Sequence, residues 1–170
     1  MRLKESVILS APPDAVWEYL SEPDNYLRFM SGVTRWEVQG DKRSGLGARY
    51  RMLIRVGAAE MGGLIEMVEW RAPRDMAWSS VTGVDQRGRW RIREMRGGRS
   101  RVELRYAYGV AGGGLSGWLS EIVASPLISR NLRRTLHQLK RQVEHERLRA
   151  EAERRRKIRE SGSSEGQKVR

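Results

Sequence analysis

Apolar positions along this chain follow two periods, and the change falls near Gly109. From Val33 to Gly109 the period is two, interrupted by turn residues, which predicts strands. They are expected at Thr34–Val38, Gly47–Val56, Glu60–Trp70, Asp75–Thr82, Gln86–Met95 and Arg101–Tyr108. Gly40-Asp41, Gly57-Ala58, Ala72-Pro73, Gly83-Val84 and Gly97-Gly98 separate them. Links this short make successive strands antiparallel neighbours. With Lys4–Ser10 before them, the sheet has seven strands.

After Gly109 the spacing becomes three and four. Leu115, Leu119, Ile122, Val123, Ile128, Leu132, Leu136, Leu139 and Val143 make one stripe on a helix from Leu115 to Leu148. Ser125-Pro126 falls inside it, and a proline there predicts a kink or a restart with Ser125 as cap. Between Ser10 and Val33, Pro12-Pro13-Asp14 and Pro23-Asp24 open two short helices, the first with Val16, Trp17 and Leu20 inward.

The strands have two unlike faces. Tyr50, Met52, Ile54 and Val56 share one parity, against Arg49, Arg51 and Arg55. Trp90 and Ile92 oppose Arg87, Arg89, Arg91 and Arg93. Val102, Leu104, Tyr106 and Tyr108 oppose Arg101, Glu103 and Arg105. A sheet that is basic on one side and apolar on the other needs one cover, which the long helix supplies. If the sheet curves, the two enclose a cavity. Glu60–Trp70 does not alternate cleanly, which leaves two readings for Glu66 and Glu69: one of them inward, or a carboxylate at the sheet rim paired with Arg.

Particular segments carry a resemblance. "VILSAPPDAVWEYLSEPDNYLRFM" (Val7–Met30) resembles the opening of the START/Bet v 1-like (SRPBCC) superfamily, in its polyketide cyclase/dehydrase and lipid-transport group. "EWRAPRDMAWSSVTG" (Glu69–Gly83) is similar to that group's central strand, proline turn and strand, and "LRRTLHQLKRQVE" (Leu132–Glu144) to its terminal helix. The resemblance implies an α+β helix-grip fold, a curved seven-stranded antiparallel sheet wrapped on the long C-terminal helix. It also implies a hydrophobic ligand, such as a lipid, a quinone or a polyketide-like aromatic, bound or transported between sheet and helix. Some members are cyclases or dehydratases, and one branch acts beside the ribosome. The resemblance carries no catalytic residue across and implies no cofactor.

The expected ligand contacts are Tyr50, Met52, Ile54, Trp78, Ser80, Trp90, Tyr106, Tyr108, Trp118, Ile122 and Leu127. Six Trp and five Tyr against one Phe suit such a wall, since each has a polar tip on an apolar body. Thr82 shares the parity of Trp78 and Ser80 and is a further inward polar candidate. A cyclase or dehydratase would need an inward acid or base besides.

Other chemistry finds little footing. The absence of Cys excludes disulfides and thiolate nucleophiles. His137 and His145 lie about 80° apart around the helix and cannot share a metal site. Gly112-Gly113-Gly114 and Gly117 lack the Lys-Ser/Thr of a phosphate loop and read as a hinge, and "GLSGW" is one residue short of a nucleophile elbow. No DNA-binding motif occurs. The N-terminal apolar run is too short for a signal peptide, and no stretch approaches a membrane span. A cytoplasmic protein is expected, able to sit peripherally at a membrane surface.

Charge adds a second hypothesis. The net charge is +12, of which the nine Lys or Arg and five Glu from Glu146 onward supply +4. Residues 1–148 read as the ligand-binding domain, and 149–170 as a charged helical extension with a disordered basic tail. Arg154, Arg155, Arg156 and Lys157 make that extension a candidate contact for RNA, the ribosome or an anionic membrane.

Overall fold

A computed structural model describes the backbone of residues 2–109 and 115–165, and the side chains of residues 2–55, 57–108, 126 and 128–160. Strand β1 (Arg2–Leu9) leads into helix α1 (Pro13–Ser21), a 3-10 turn at Pro23–Asn25 and helix α2 (Tyr26–Phe29). Six strands follow: β2 (Val33–Gln39), β3 (Arg49–Val56), β4 (Ala59–Arg71), β5 (Asp75–Ser80), β6 (Asp85–Met95) and β7 (Arg99–Gly109). Helix α3 (Leu115–Glu165) ends the described chain.

The strand order is β1-β7-β6-β5-β4-β3-β2, antiparallel throughout. Each hairpin lies beside the next, and only β1 reaches its neighbour by a long connection. Helix α3 packs along β1 and β7 and also reaches β3 near the other edge, so the sheet curls around it. This is the helix-grip fold.

The stripe predicted on α3 is buried at Ile128, Leu132, Leu136, Leu139 and Val143. Truncating a fully enclosed residue such as Leu136 to Ala would cost ~2–5 kcal/mol. Thr135 is buried among them, and its Oγ1 accepts from the Ser31 N–H at 2.9 Å, which holds the end of α2 to α3. In α1 the buried residues are Val16, Tyr19 and Leu20, while Trp17 meets Trp70 edge-on at 5.1 Å.

One feature of α3 differs from expectation: the helix does not restart at Ser125. The helix runs unbroken across Pro126, so the proline removes one hydrogen bond without ending the helix. The charged helical extension runs past Leu148 to Glu165, with Leu148 and Ile158 exposed. The Gly112–Gly114 hinge lies outside the described residues. Among the described residues, no helix is long and apolar enough to cross a membrane.

Candidate ligand-binding face

Inward parity on β2, β3, β5, β6 and β7 gathers rings on the concave side. Tyr26 of α2 stacks on Trp36 at 3.9 Å and 8°, and Trp36 lies 5.1 Å from Tyr50. Trp36 meets Trp78 edge-on at 6.3 Å, and the series continues to Tyr106 at 6.5 Å and Tyr108 at 6.2 Å beyond it. Tyr50, Met52, Trp78, Trp90 and Tyr106 are all buried, and Ile54 and Tyr108 are half-buried against the same core. Trp90 stands apart from the arc, beneath α2, with Phe29 at 6.0 Å. Its indole N–H lies beside the Tyr26 hydroxyl but misses the geometry of a hydrogen bond.

Gly88 makes this arrangement possible. A Cβ there would stand 1.9 Å from Cζ2 of Trp78, so only the missing side chain lets the indole lie flat on β6.

One polar pair of this face sits at the β6–β7 end. Tyr106 donates its hydroxyl hydrogen to Oε1 of Gln86, and both residues are buried. Burial pushes the Tyr106 phenol well above its ordinary value, with Tyr108 adding to the rise, so it stays neutral and remains a donor. Tyr50 is pushed up to about 12, first by burial and against the pull of Arg43, whose carbonyl accepts its hydroxyl at 2.8 Å. The Ser80 hydroxyl is engaged locally, accepting from Gln86 N at 3.2 Å and donating to Asp85 Oδ1 at 3.3 Å. Thr82 does not belong to this face: β5 ends at Ser80, and Thr82 is exposed. The indole N–H groups of Trp36 and Trp78 are buried and find no acceptor among the described residues.

Neither Glu66 nor Glu69 points inward. A bulge at Val68 shifts the register between Met67 and Glu69, so Ile65, Met67 and Trp70 face the core while both carboxylates stay outside. Glu66 pairs with Arg49 at 2.7 Å, and Glu69 with Arg89 and with Arg71 at 3.6 Å. The carboxylate that does reach the helix side is Glu5 on the edge strand, where Arg133 of α3 holds it at 2.8 Å. Among the described residues, no group of three or more potential ligands could hold a metal ion.

Met52, Ile54 and Tyr106 border a pocket of about 30 Å³ against Ile128, Leu132 and Thr135 of α3. That volume suits a water or two. Trp118, Ile122 and Leu127, the other expected contacts, lie outside the described side chains.

The sequence of residues 1–144 matches the family model described as polyketide cyclase / dehydrase and lipid transport. The chain belongs to that family. No curated protein matches it. Among solved structures, TTHA0849 from Thermus thermophilus superposes with a TM-score of 0.71 at 21% identity, over 84% of this chain and 97% of that one. The Zhui aromatase/cyclase from Streptomyces sp. R1128 gives 0.72 at 19%, over 85% and 93%. The di-domain ARO/CYC BexL gives 0.58 at 21%, with 85% of this chain on 46% of that one. At such identities the likeness is one of fold.

Proposed function

We propose that the concave face binds a hydrophobic small molecule that carries oxygen acceptors, such as a quinone, a lipid or a polyketide-like aromatic, and holds it without turnover. The observation that carries this reading is the pair of buried indole N–H groups on Trp36 and Trp78, which find no acceptor among the described residues. A buried donor without a partner costs ~1–3 kcal/mol, and a ligand carbonyl or hydroxyl would recover it. Apolar ligand surface leaving water would add ~25 cal/mol per Å².

The same face argues against the cyclase or dehydratase reading that the Zhui and BexL names suggest. Proton abstraction needs a base near neutrality. Among the described residues, Tyr106 is held neutral, Glu5 is tied to Arg133, and Glu66 and Glu69 are on the other side of the sheet. Native mass spectrometry of protein from its own host, with displacement of an apolar fluorescent probe by quinones and lipids, tests the proposal. A co-purifying apolar molecule and competitive displacement are expected. Failure of a folded, monodisperse sample to bind the probe would overturn it.

A further inference from the structure

The outer face of the sheet carries cations in an arrangement that the fold does not favour. Lys4, Arg105 and Arg89 stand directly opposite one another across β1, β7 and β6. In the next row Arg2, Ala107 and Arg87 do the same. Like charges opposite one another destabilise a sheet. With strands ~4.8 Å apart and rows ~7 Å apart, five cations share a patch of roughly 10 by 7 Å. Glu103 neutralises part of it, at 3.2 Å from Lys4 and 2.6 Å from Arg105, and Glu69 holds Arg89. Arg2 and Arg87 have no acidic partner among the described residues.

The patch is also hollow. Ala77 and Ser79 of β5 continue the two rows, and with Ala107 they make a floor of small residues. The cations rise around it, leaving a concavity of about 830 Å³. A floor without bulk and a rim of guanidinium groups suit an anion with several oxygens close together, because each guanidinium offers paired donors.

We propose that this concavity binds clustered phosphates, as a di- or triphosphate carried by a small molecule. Single-stranded nucleic acid fits less well, because binding it uses aromatic stacking and the rings of β5, β6 and β7 face the other way. A lipid surface fits less well too, since Val68 is the one exposed large apolar residue of the concavity and docking to a bilayer buries an apolar face.

Calorimetric titration of the full-length chain with inorganic tripolyphosphate at low salt tests this. One equivalent should bind, and Arg87→Gln and Arg105→Gln should each weaken it ~10-fold or more, as expected for a lost charge-assisted contact. Arg51→Gln, on the same face but outside the concavity, should leave binding unchanged, as should neutralising Arg154, Arg155 and Arg156 to Gln. Without the anion, Arg87→Gln should melt no lower than the parent, because it removes a cation that has no acidic partner among the described residues. The proposal falls if tripolyphosphate does not bind, or if Arg51→Gln or the tail variant weakens it as much as Arg87→Gln. It falls equally if the tail-neutralised protein binds an RNA oligonucleotide or phosphatidylglycerol vesicles through Arg87 more tightly than free tripolyphosphate.

Discussion

Tyr106 on β7 donates its hydroxyl hydrogen to Gln86 on β6, and the two form a buried polar pair at the edge of the aromatic arc. Tyr106→Phe leaves the Gln86 carbonyl without that donor and should cost ~1–3 kcal/mol. The double variant Gln86→Leu, Tyr106→Phe removes both partners and should recover much of that loss. Urea unfolding of the four proteins gives the coupling. Additive losses would mean that the pair contributes nothing as a pair.

Gly88 and Trp78 provide a steric test. Gly88→Ala places a methyl group where Cζ2 of Trp78 lies, so the indole must move or β6 must bend. We expect a loss of ~1–3 kcal/mol, typical of overpacking. Trp78→Leu in the Gly88→Ala background should lose less than the sum of the single changes. Equal losses in both backgrounds would show that the methyl group is accommodated elsewhere.

Much of the fold was legible from the sequence because a strand has only two faces. Once Trp90 and Ile92 are inward, Arg87, Arg89, Arg91 and Arg93 must be outward, and the structure agrees at each position. The same parity would have placed Gln86 inward with Trp90, and Trp36 with Val38. A glutamine at a strand end and a lone tryptophan on a short strand carry too little periodic signal to stand out. The uneven alternation of Glu60–Trp70 was itself the signal of a bulge, because one extra residue at Val68 lets Glu66 and Glu69 face the same side. What periodicity cannot supply is which inward rings touch. That Trp90 meets Phe29 beneath α2, apart from the Trp36–Trp78–Tyr106 arc, follows only from tertiary packing.

Alkaline pH should unfold the protein through its buried tyrosines. Tyr19 is pushed up to about 12, mainly by burial and then by Glu146, against the pull of Arg28. Tyr50 is raised to about 12 as well, and Tyr26 and Tyr106 are shifted in the same direction. A phenol whose pKa is higher in the folded state than its ordinary 10.0 keeps its proton there while the unfolded chain loses it. The stabilisation is therefore complete below pH ~10 and is lost as pH rises towards ~12. Absorbance of phenolate should appear together with loss of circular dichroism. Full ionisation of all five tyrosines near pH ~10 with the fold intact would contradict this.

The last prediction concerns the end of α3, where charge and packing part company. Among the described residues, hydrogen bonds tie this helix to the body at Ser10, whose N–H donates to Glu144 Oε1 at 2.7 Å and whose carbonyl accepts from Arg147. Beyond them a cleft of about 640 Å³ opens between α1 and α3 as far as Arg154, and Leu148 and Ile158 are exposed. Deleting 149–170 should therefore cost under ~1 kcal/mol in urea unfolding. The deletion removes Arg154, Arg155, Arg156 and Lys157, so any affinity for RNA or anionic vesicles should drop, and the parent's binding should weaken steeply with salt. Equal binding by both proteins, or none at low salt, would reduce the tail to a solubilising charge. A large loss of stability would instead mean that the extension packs on the body.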